Sequence, residues 1–379
     1  MIKEEYEVIY FDNAATTYPK PQCVYEAIDI GMKQYSFNAG RGCYQASKNT
    51  FDMIQETRNK IASLVGEMGN KVIFTSSATE SLNNILYGLN LTPNDCVFVS
   101  PFEHNAVIRT LHNIGVNIIV IPFNKDTWEL SENELNDLYI LKKPKATVIS
   151  HISNVTGYEL PYKKIFNVAK KYNSVNVLDC AQSFGIYPVE KTNIDFLIFA
   201  GHKSLYAMLG IAGYINLSDF SLSLYKVGGT GSDSLNPNMP NYVPAKYEAG
   251  SSNSVGIFSI KSSLEYLQTE NFAEKECELV EYLLKGLYSI KKVLIYLPSK
   301  YISRGIVSFN LEGFNSDELG TILSEDYDIC VRTGYHCAPY IHDFIDSVRF
   351  NGTVRVSLGI FNTKSEIDKL IYAIKEISS

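Results

Sequence analysis

Lys203 closes the run Phe196-Leu197-Ile198-Phe199-Ala200-Gly201-His202-Lys203, and a charge at the end of so apolar a segment is expensive to keep dry. A second one, Asp179, closes Val175-Asn176-Val177-Leu178-Asp179. Both segments read as short buried strands, and open α/β sheets place their ligand sites at the carboxyl ends of strands. A lysine that can form a Schiff base, with a carboxylate to pair with a pyridinium nitrogen, is what a pyridoxal 5'-phosphate site requires. The lysine must be neutral to attack an aldehyde, and burial beside cations lowers its pKa. Taken singly, Lys203 reads as a lysine snorkelling from a strand end and Asp179 as a helix N-cap. Together they point to a cofactor.

Other residues supply parts of such a site. Thr75-Ser76-Ser77-Ala78-Thr79-Glu80 joins a strand to a helix, and the free N–H groups of a helix start bind phosphate. The same residues also suit a capping box. His202 can add a donor to that phosphate, and Gln182 can donate to the phenolic oxygen of the ring. His104 follows the strand Cys96–Val99, where a flat imidazole can stack on a pyridine or cap the next helix. Cys337 lies in Val331-Arg332-Thr333-Gly334-Tyr335-His336-Cys337-Ala338-Pro339. Arg332 and His336 there favour a thiolate, although a small buried cysteine is the plainer reading. Only His336 and His342 stand near it as further metal ligands, so no metal centre is expected. Arg355, on a strand, can grip a carboxylate in a bidentate fork or pair with a structural acid.

These residues need a scaffold. At 379 residues the chain suggests two domains or one large one. A net charge of −7 argues against nucleic acid or an anionic membrane as partner. No apolar run is long enough to span a bilayer, and Met1–Glu5 lacks the apolar core of a signal peptide, so the expected location is cytoplasmic. Seven cysteines, with irregular spacing and no Cys-x-x-Cys, exclude a disulfide framework or zinc ribbon. Helical spacing runs over 21–35 and 45–65, with Phe51, Ile54, Ile61, Leu64 and Val65 on one stripe. Strands are expected at Val72–Thr75, Cys96–Val99, Asn117–Ile121, Ala146–Ser150, Val175–Asp179, Asp195–Phe199 and Ile211–Ile215. Helices near 79–89, 105–114, 131–139 and 161–172 alternate with them. The expected fold is α/β: a large domain with a mainly parallel, seven-stranded sheet covered by helices on both faces, plus a small C-terminal α/β domain. Residues 216–254 read as a long loop. One helical stretch follows over about 255–290. Strands at Gly305–Asn310, Tyr327–Val331 and Thr353–Val356 and helices near 316–324 and 364–377 complete the chain.

The motifs resemble those of the class V, fold-type I aminotransferase superfamily, and within it the cysteine desulfurases. Tyr10-Phe11-Asp12-Asn13-Ala14-Ala15-Thr16-Thr17 is similar to the opening motif, Ser153-Asn154-Val155-Thr156-Gly157 to S-N-x-x-G, and Ala200-Gly201-His202-Lys203 to [ST]-G-H-K. Arg332-Thr333-Gly334-Tyr335-His336-Cys337-Ala338 resembles R-x-G-x-H-C-A of the short-loop branch, which includes selenocysteine lyases.

The resemblance implies a homodimer with pyridoxal 5'-phosphate held by Lys203, Asp179, Gln182, His104, Ala78, Thr79 and His202, joined by Ser251 across the subunit interface. It implies substrate contacts from Arg355, Asn154, Asn13 and Ala14, and catalysis by Lys203, Cys337 and His104. The implied reaction turns L-cysteine into L-alanine, leaving a persulfide on Cys337 for a sulfur-acceptor protein, as in iron–sulfur cluster assembly. Selenocysteine lyase, another class V enzyme and a non-catalytic sulfur-relay scaffold are the alternatives. The expected division is an N-terminal segment 1–19 packed with the small domain, a large domain 20–255 and a small domain 256–379 carrying a cysteine loop able to move. Five positions depart from the family pattern. Ala200 replaces a hydroxyl residue, Tyr335 stands where histidine is frequent, Gly40 replaces a histidine in Asn38–Gly42, and Ser251-Ser252 replaces Thr-Pro.

Overall fold

The computed structural model describes residues 8–40, 42–231, 234–298, 301 and 303–379; Met1–Glu5 and Arg41 lie outside them. The described chain opens with β1 (Ile9–Tyr10), α1 (Gln22–Gln34) and α2 (Gln45–Ser63). Then come β2 (Val72–Thr75), α3 (Ala78–Gly88), β3 (Cys96–Val99), α4 (Asn105–Ile114), β4 (Asn117–Val120) and α5 (Glu132–Lys142). After these follow β5 (Ala146–Ser150), α6 (Tyr162–Lys171), β6 (Val175–Asp179), β7 (Phe196–Ala200) and β8 (Ala212–Asn216). Strands β2 to β8 form one sheet in the order β2-β8-β7-β6-β5-β3-β4. Only β8 runs antiparallel to its neighbours, and the remaining pairs are parallel. The expected mainly parallel sheet is therefore present.

Its strands are apolar for a geometric reason. Successive side chains point to opposite faces. Val97 and Val99 pack on one face with Val148, Val177 and Ile198, and Phe98 packs on the other with Ile149, Leu178 and Leu197. A strand covered on both sides must be apolar throughout. The chain leaves β3 toward β4 and returns past it to β5, so the order reverses there. The crevice at the carboxyl ends of these strands is where such sheets bind ligands. Asp179 ends β6 as expected, whereas β7 ends at Ala200 and Lys203 sits in the turn beyond.

Beyond the long loop lie α7 (Ser254–Leu267) and α8 (Phe272–Tyr288). The single helix expected over 255–290 is broken because the Asn271 side chain accepts from the Glu274 amide and starts a new one. α7 packs on α1 and α2 and adds Ile257, Ile260 and Leu264 to the large-sheet core. α8 adds Leu279, Val280 and Leu283 to a second core. Next come β9 (Val293–Ile295), β10 (Ile306–Leu311), α9 (Ser316–Tyr327), β11 (Ile329–Cys330), α10 (Ile341–Phe344), β12 (Val354–Ser357) and α11 (Lys364–Ile377). β12, β10 and β9 form an antiparallel sheet. β9, three residues long, is an additional strand beyond those expected. β11 is shorter than expected because α9 runs through Tyr327 and turns at Asp328, whose φ is 55°. β1 pairs in parallel with β11, and Ile9 and Phe11 enter the second core. Of the expected stripe Ile54, Ile61 and Val65 are buried, but Phe51 is exposed, and Met53, Thr57 and Ala62 turn inward with them. Among the described residues no helix is long and apolar enough to cross a membrane.

Candidate active site

Ala78, Thr79, His104, Asn154, Asp179, Gln182, His202 and Lys203 line one pocket at the carboxyl ends of the large sheet, with Ala200 in its wall. Burial lowers the Lys203 amine from 10.5 to about 8; Asp179 opposes that shift, and Arg355 and Arg332 add to it. The turn carrying Lys203 is tied down at the carbonyl before it. His202 O accepts from Lys20 Nζ at 2.9 Å and from the Thr17 amide at 3.1 Å. The Thr16 and Thr17 hydroxyls reach it at 3.2 Å each. Burial also lowers the Lys20 amine to about 7.

Asp179 keeps both of its sequence readings. Its Oδ1 accepts from the Ala181 amide at 2.9 Å, as a cap would, and it still lines the pocket. Burial raises its pKa, while the Ala181 amide and Lys203 pull it back. Glu103 lies beneath, fully buried. It accepts from Ser100 Oγ at 2.5 Å, from the Ser150 amide at 2.9 Å and from Ser150 Oγ at 2.8 Å. Ser150 pairs in register with Asp179. Burial raises Glu103 to about 7, with Asp179 adding to the rise, because two neighbouring carboxylates disfavour each other's charge. Gln182 Nε2 donates to Ala14 O at 3.0 Å.

His104 is likewise both cap and wall. Its Nδ1 accepts from the Ala106 amide at 3.0 Å at the start of α4. Burial, Lys203 and Arg332 lower it to about 3, so the ring is neutral. At α3 only half of a capping box forms: Ser77 Oγ accepts from the Glu80 amide at 3.1 Å, whereas Glu80 accepts from the Ser76 amide at 2.8 Å and not from that of Ser77. That helix start still faces the pocket through Ala78 and Thr79. His202 Nδ1 is buried and makes no hydrogen bond.

The second core brings its own residues to this crevice. An isolated bridge sets Arg332 beside Arg355. Arg355, 1% exposed, pairs with Asp12 at 2.6 Å and donates to Asn154 O at 2.9 Å. Its Nε has no partner. Arg332 Nη2 lies 3.4 Å from Cys337 Sγ. Cys337 O accepts from the Asn105 amide at 2.6 Å, which joins the cysteine loop to the helix that His104 caps. Asn13 and Ala14 line an adjoining pocket instead. Asn13 Nδ2 donates to Ser357 O at 3.0 Å, and the Ala14 amide donates to Ser357 Oγ at 2.8 Å. Ser251 is exposed and stands outside the Lys203 pocket of its own chain. Sequence reasoning missed Asp12, Glu103 and Lys20. Asp12 and Glu103 were visible as acids inside or beside the motifs, but nothing local marked Lys20.

Residues 9–370 match the family described as aminotransferase class-V. A probable cysteine desulfurase of Vibrio cholerae serotype O1 is 30% identical over 387 residues, covering 97% of this chain and 93% of that protein. A cysteine desulfurase of Haloferax volcanii is also 30% identical, covering 97% of this chain and 88% of its own. Among solved structures, the apo cysteine desulfurase from Thermococcus onnurineus NA1 superposes with a TM-score of 0.88 at 27% identity, covering 98% of this chain and 95% of that one. With its sheet, its lysine turn and nearly its whole length accounted for in this way, the chain belongs to the aminotransferase class-V family.

Proposed function

We propose that this protein is a pyridoxal 5'-phosphate-dependent cysteine desulfurase. The observation that carries the reading is the meeting of Lys203, Asp179 and His104 with the Arg332–Cys337 pair in one crevice. The residues fit the cofactor. The neutral imidazole of His104 offers a flat wall, Asp179 a buried carboxylate, and the start of α3 free amides. A phosphate there would also satisfy the unpartnered His202 Nδ1. Lys203, Asp179, Gln182, His104, Ala78, Thr79 and His202 would hold it. When bound, the cofactor supplies an electron sink that makes the α-proton of an amino acid removable.

The chain's own residues do the rest. Arg355 receives the substrate carboxylate, with Asn154 beside it. Lys203 Nζ, neutral above about pH 8, takes the α-proton, gives a proton to the β-carbon when the sulfur departs, and last returns a proton to the α-carbon, the second of these two protons being the one the Cys337 thiol releases as it ionises. The Cys337 thiolate, held by Arg332, attacks the substrate Sγ. A sulfur–sulfur bond forms, the substrate carbon–sulfur bond breaks, and alanine leaves a persulfide on Cys337. A sulfur-acceptor protein then collects that sulfur, as in iron–sulfur cluster assembly in the cytoplasm.

The reading includes a homodimer. A surface cavity of about 710 Å³ is lined by Phe37, Phe51, Tyr242 and Ser251, and those aromatic rings are exposed. A second subunit would cover them and bring Ser251 to its neighbour's phosphate. It also keeps an N-terminal segment, a large domain and a small domain; the packing of α7 favours a boundary after α7 over one at residue 255. Product analysis with L-cysteine and a thiol reductant tests the reading. Repeated alanine and sulfide release is expected, and a cofactor-loaded protein that makes neither refutes it. Faster turnover of L-selenocysteine together with inertness to L-cysteine would assign a selenocysteine lyase instead.

A further inference from the structure

Four consecutive backbone carbonyls around the nucleophile each accept a hydrogen bond from a different part of the chain. Gly334 O accepts from the Thr353 amide at 3.1 Å, and Tyr335 O accepts both from His342 Nε2 at 3.0 Å and, within the loop, from the Ala338 amide at 3.0 Å. His336 O accepts from Asn154 Nδ2 at 2.7 Å and Cys337 O from the Asn105 amide at 2.6 Å. The backbone they hold is one that a free chain avoids. Gly334, His336 and Cys337 have φ of 86°, 46° and 57°. Two successive non-glycine residues in the left-handed region persist only where the surroundings over-determine them. Gly352 belongs to the same device: a Cβ there would fall 2.2 Å from Gly334 O.

Among these donors, three are backbone amides and Asn154 already serves the substrate site. His342 is different. It stands in α10, is 1% exposed and is not part of the wall of the Lys203 pocket. A carbonyl can only accept, so Nε2 carries the proton and Nδ1 accepts from the Ser347 hydroxyl at 2.7 Å. The Tyr335 ring packs edge-on against the imidazole, centroids 5.0 Å apart at 88°. Burial lowers the pKa of His342, while the Tyr335 carbonyl and Asp343 oppose that.

We propose that His342, oriented by Ser347, is a positioning residue that holds the Tyr335 carbonyl and so fixes the Cys337 thiol beside the substrate pocket. The proposal rests on the desulfurase reading and replaces the mobile cysteine loop expected from sequence with a fixed one. Sulfur bound to Cys337 is then collected where it forms, by an acceptor that reaches the loop.

The test compares His342→Ala, His342→Gln and Ser347→Ala in cofactor-loaded, full-length protein. Three quantities are read: alanine formation from L-cysteine, the pH profile of Cys337 alkylation by iodoacetamide, and amide hydrogen exchange over residues 332–340. Glutamine can place an N–H near the position of Nε2, and alanine cannot. In His342→Ala, kcat should fall about 10- to 100-fold while KM stays within about twofold, since a small misplacement of a reacting atom acts on the chemical step. Exchange over 334–338 should quicken, the alkylation profile should shift, and the visible cofactor absorbance should stay as in wild type. His342→Gln should recover most of the rate, and Ser347→Ala should fall between. Wild-type turnover and exchange in His342→Ala overturn the proposal. So does equal loss in His342→Ala and His342→Gln, which would mark packing alone. If wild type forms no alanine the desulfurase reading fails, and unchanged alkylation and exchange in His342→Ala would separately sink the loop proposal. If His342→Ala does not fold, Ser347→Ala decides, and wild-type rate and exchange there count against it.

Discussion

Lys203 follows a strand buried at every position, in a turn whose preceding carbonyl gathers donors from Thr16, Thr17 and Lys20. Cys337 follows no strand of that kind. It sits on a left-handed stretch held carbonyl by carbonyl. The first region is placed by topology, because parallel strands deliver their carboxyl ends to one crevice. The second is placed by specific hydrogen bonds against local strain. The proposed cofactor chemistry thus rests on the most regular part of the molecule and the proposed sulfur nucleophile on one of its least regular parts.

The comparison breaks most readily at the two reactive residues. Lys203→Ala and Cys337→Ser should each cut alanine formation by about 1000-fold or more, as loss of a covalent catalyst does. Only Lys203→Ala should abolish the visible absorbance of the lysine-bound cofactor. Turnover surviving in Cys337→Ser would assign the chain to another class V chemistry. A smaller effect is expected where the two regions meet. Arg355→Lys should lower kcat/KM for L-cysteine about 10- to 100-fold, mostly through KM, because a lysine cannot hold Asp12 and the Asn154 carbonyl while gripping a carboxylate in a fork. An unchanged KM would place the substrate carboxylate elsewhere.

The sheet side was legible in sequence because its signals are local. β2, β3, β5 and β6 fall where short, mostly apolar runs put them, and α4 and α11 keep their expected bounds. That Lys203, Asp179, Thr79 and His104 meet in one pocket was readable from strand ends and the next few residues. The cysteine side was not legible, because its partners are remote: Asp12 meets Arg355 across 343 positions and Asn154 meets His336 across 182. His342 was noticed only as a possible metal ligand. Its role depends on a backbone turn that no periodicity announces. The break at Asn271 shows the same limit on a smaller scale, since an asparagine inside an apolar repeat is read as surface until its cap is seen.

The smallest expected effects are in pH. The Lys203 amine titrates near 8, so capture of added pyridoxal 5'-phosphate by apo-protein should quicken as pH rises through about 8 and then level off. A continued rise beyond pH 10 would mean an ordinary exposed amine. The folded pKa lies below the unfolded value of 10.5, so Lys203 destabilises the apo chain most below pH 8, and the penalty fades as pH rises toward 10.5. Lys203→Met should therefore stabilise apo-protein by about 1–3 kcal/mol at pH 7, with the gain shrinking in alkali. Urea unfolding at both pH values would measure it.

The most direct test of the account is a single turnover of cofactor-loaded wild-type protein with L-cysteine in the absence of thiol, with alanine quantified and the Cys337 peptide weighed. Alanine in stoichiometric yield and one additional sulfur atom on Cys337 are expected. A cofactor-bound protein that makes no alanine, or makes it while Cys337 gains nothing, would contradict it.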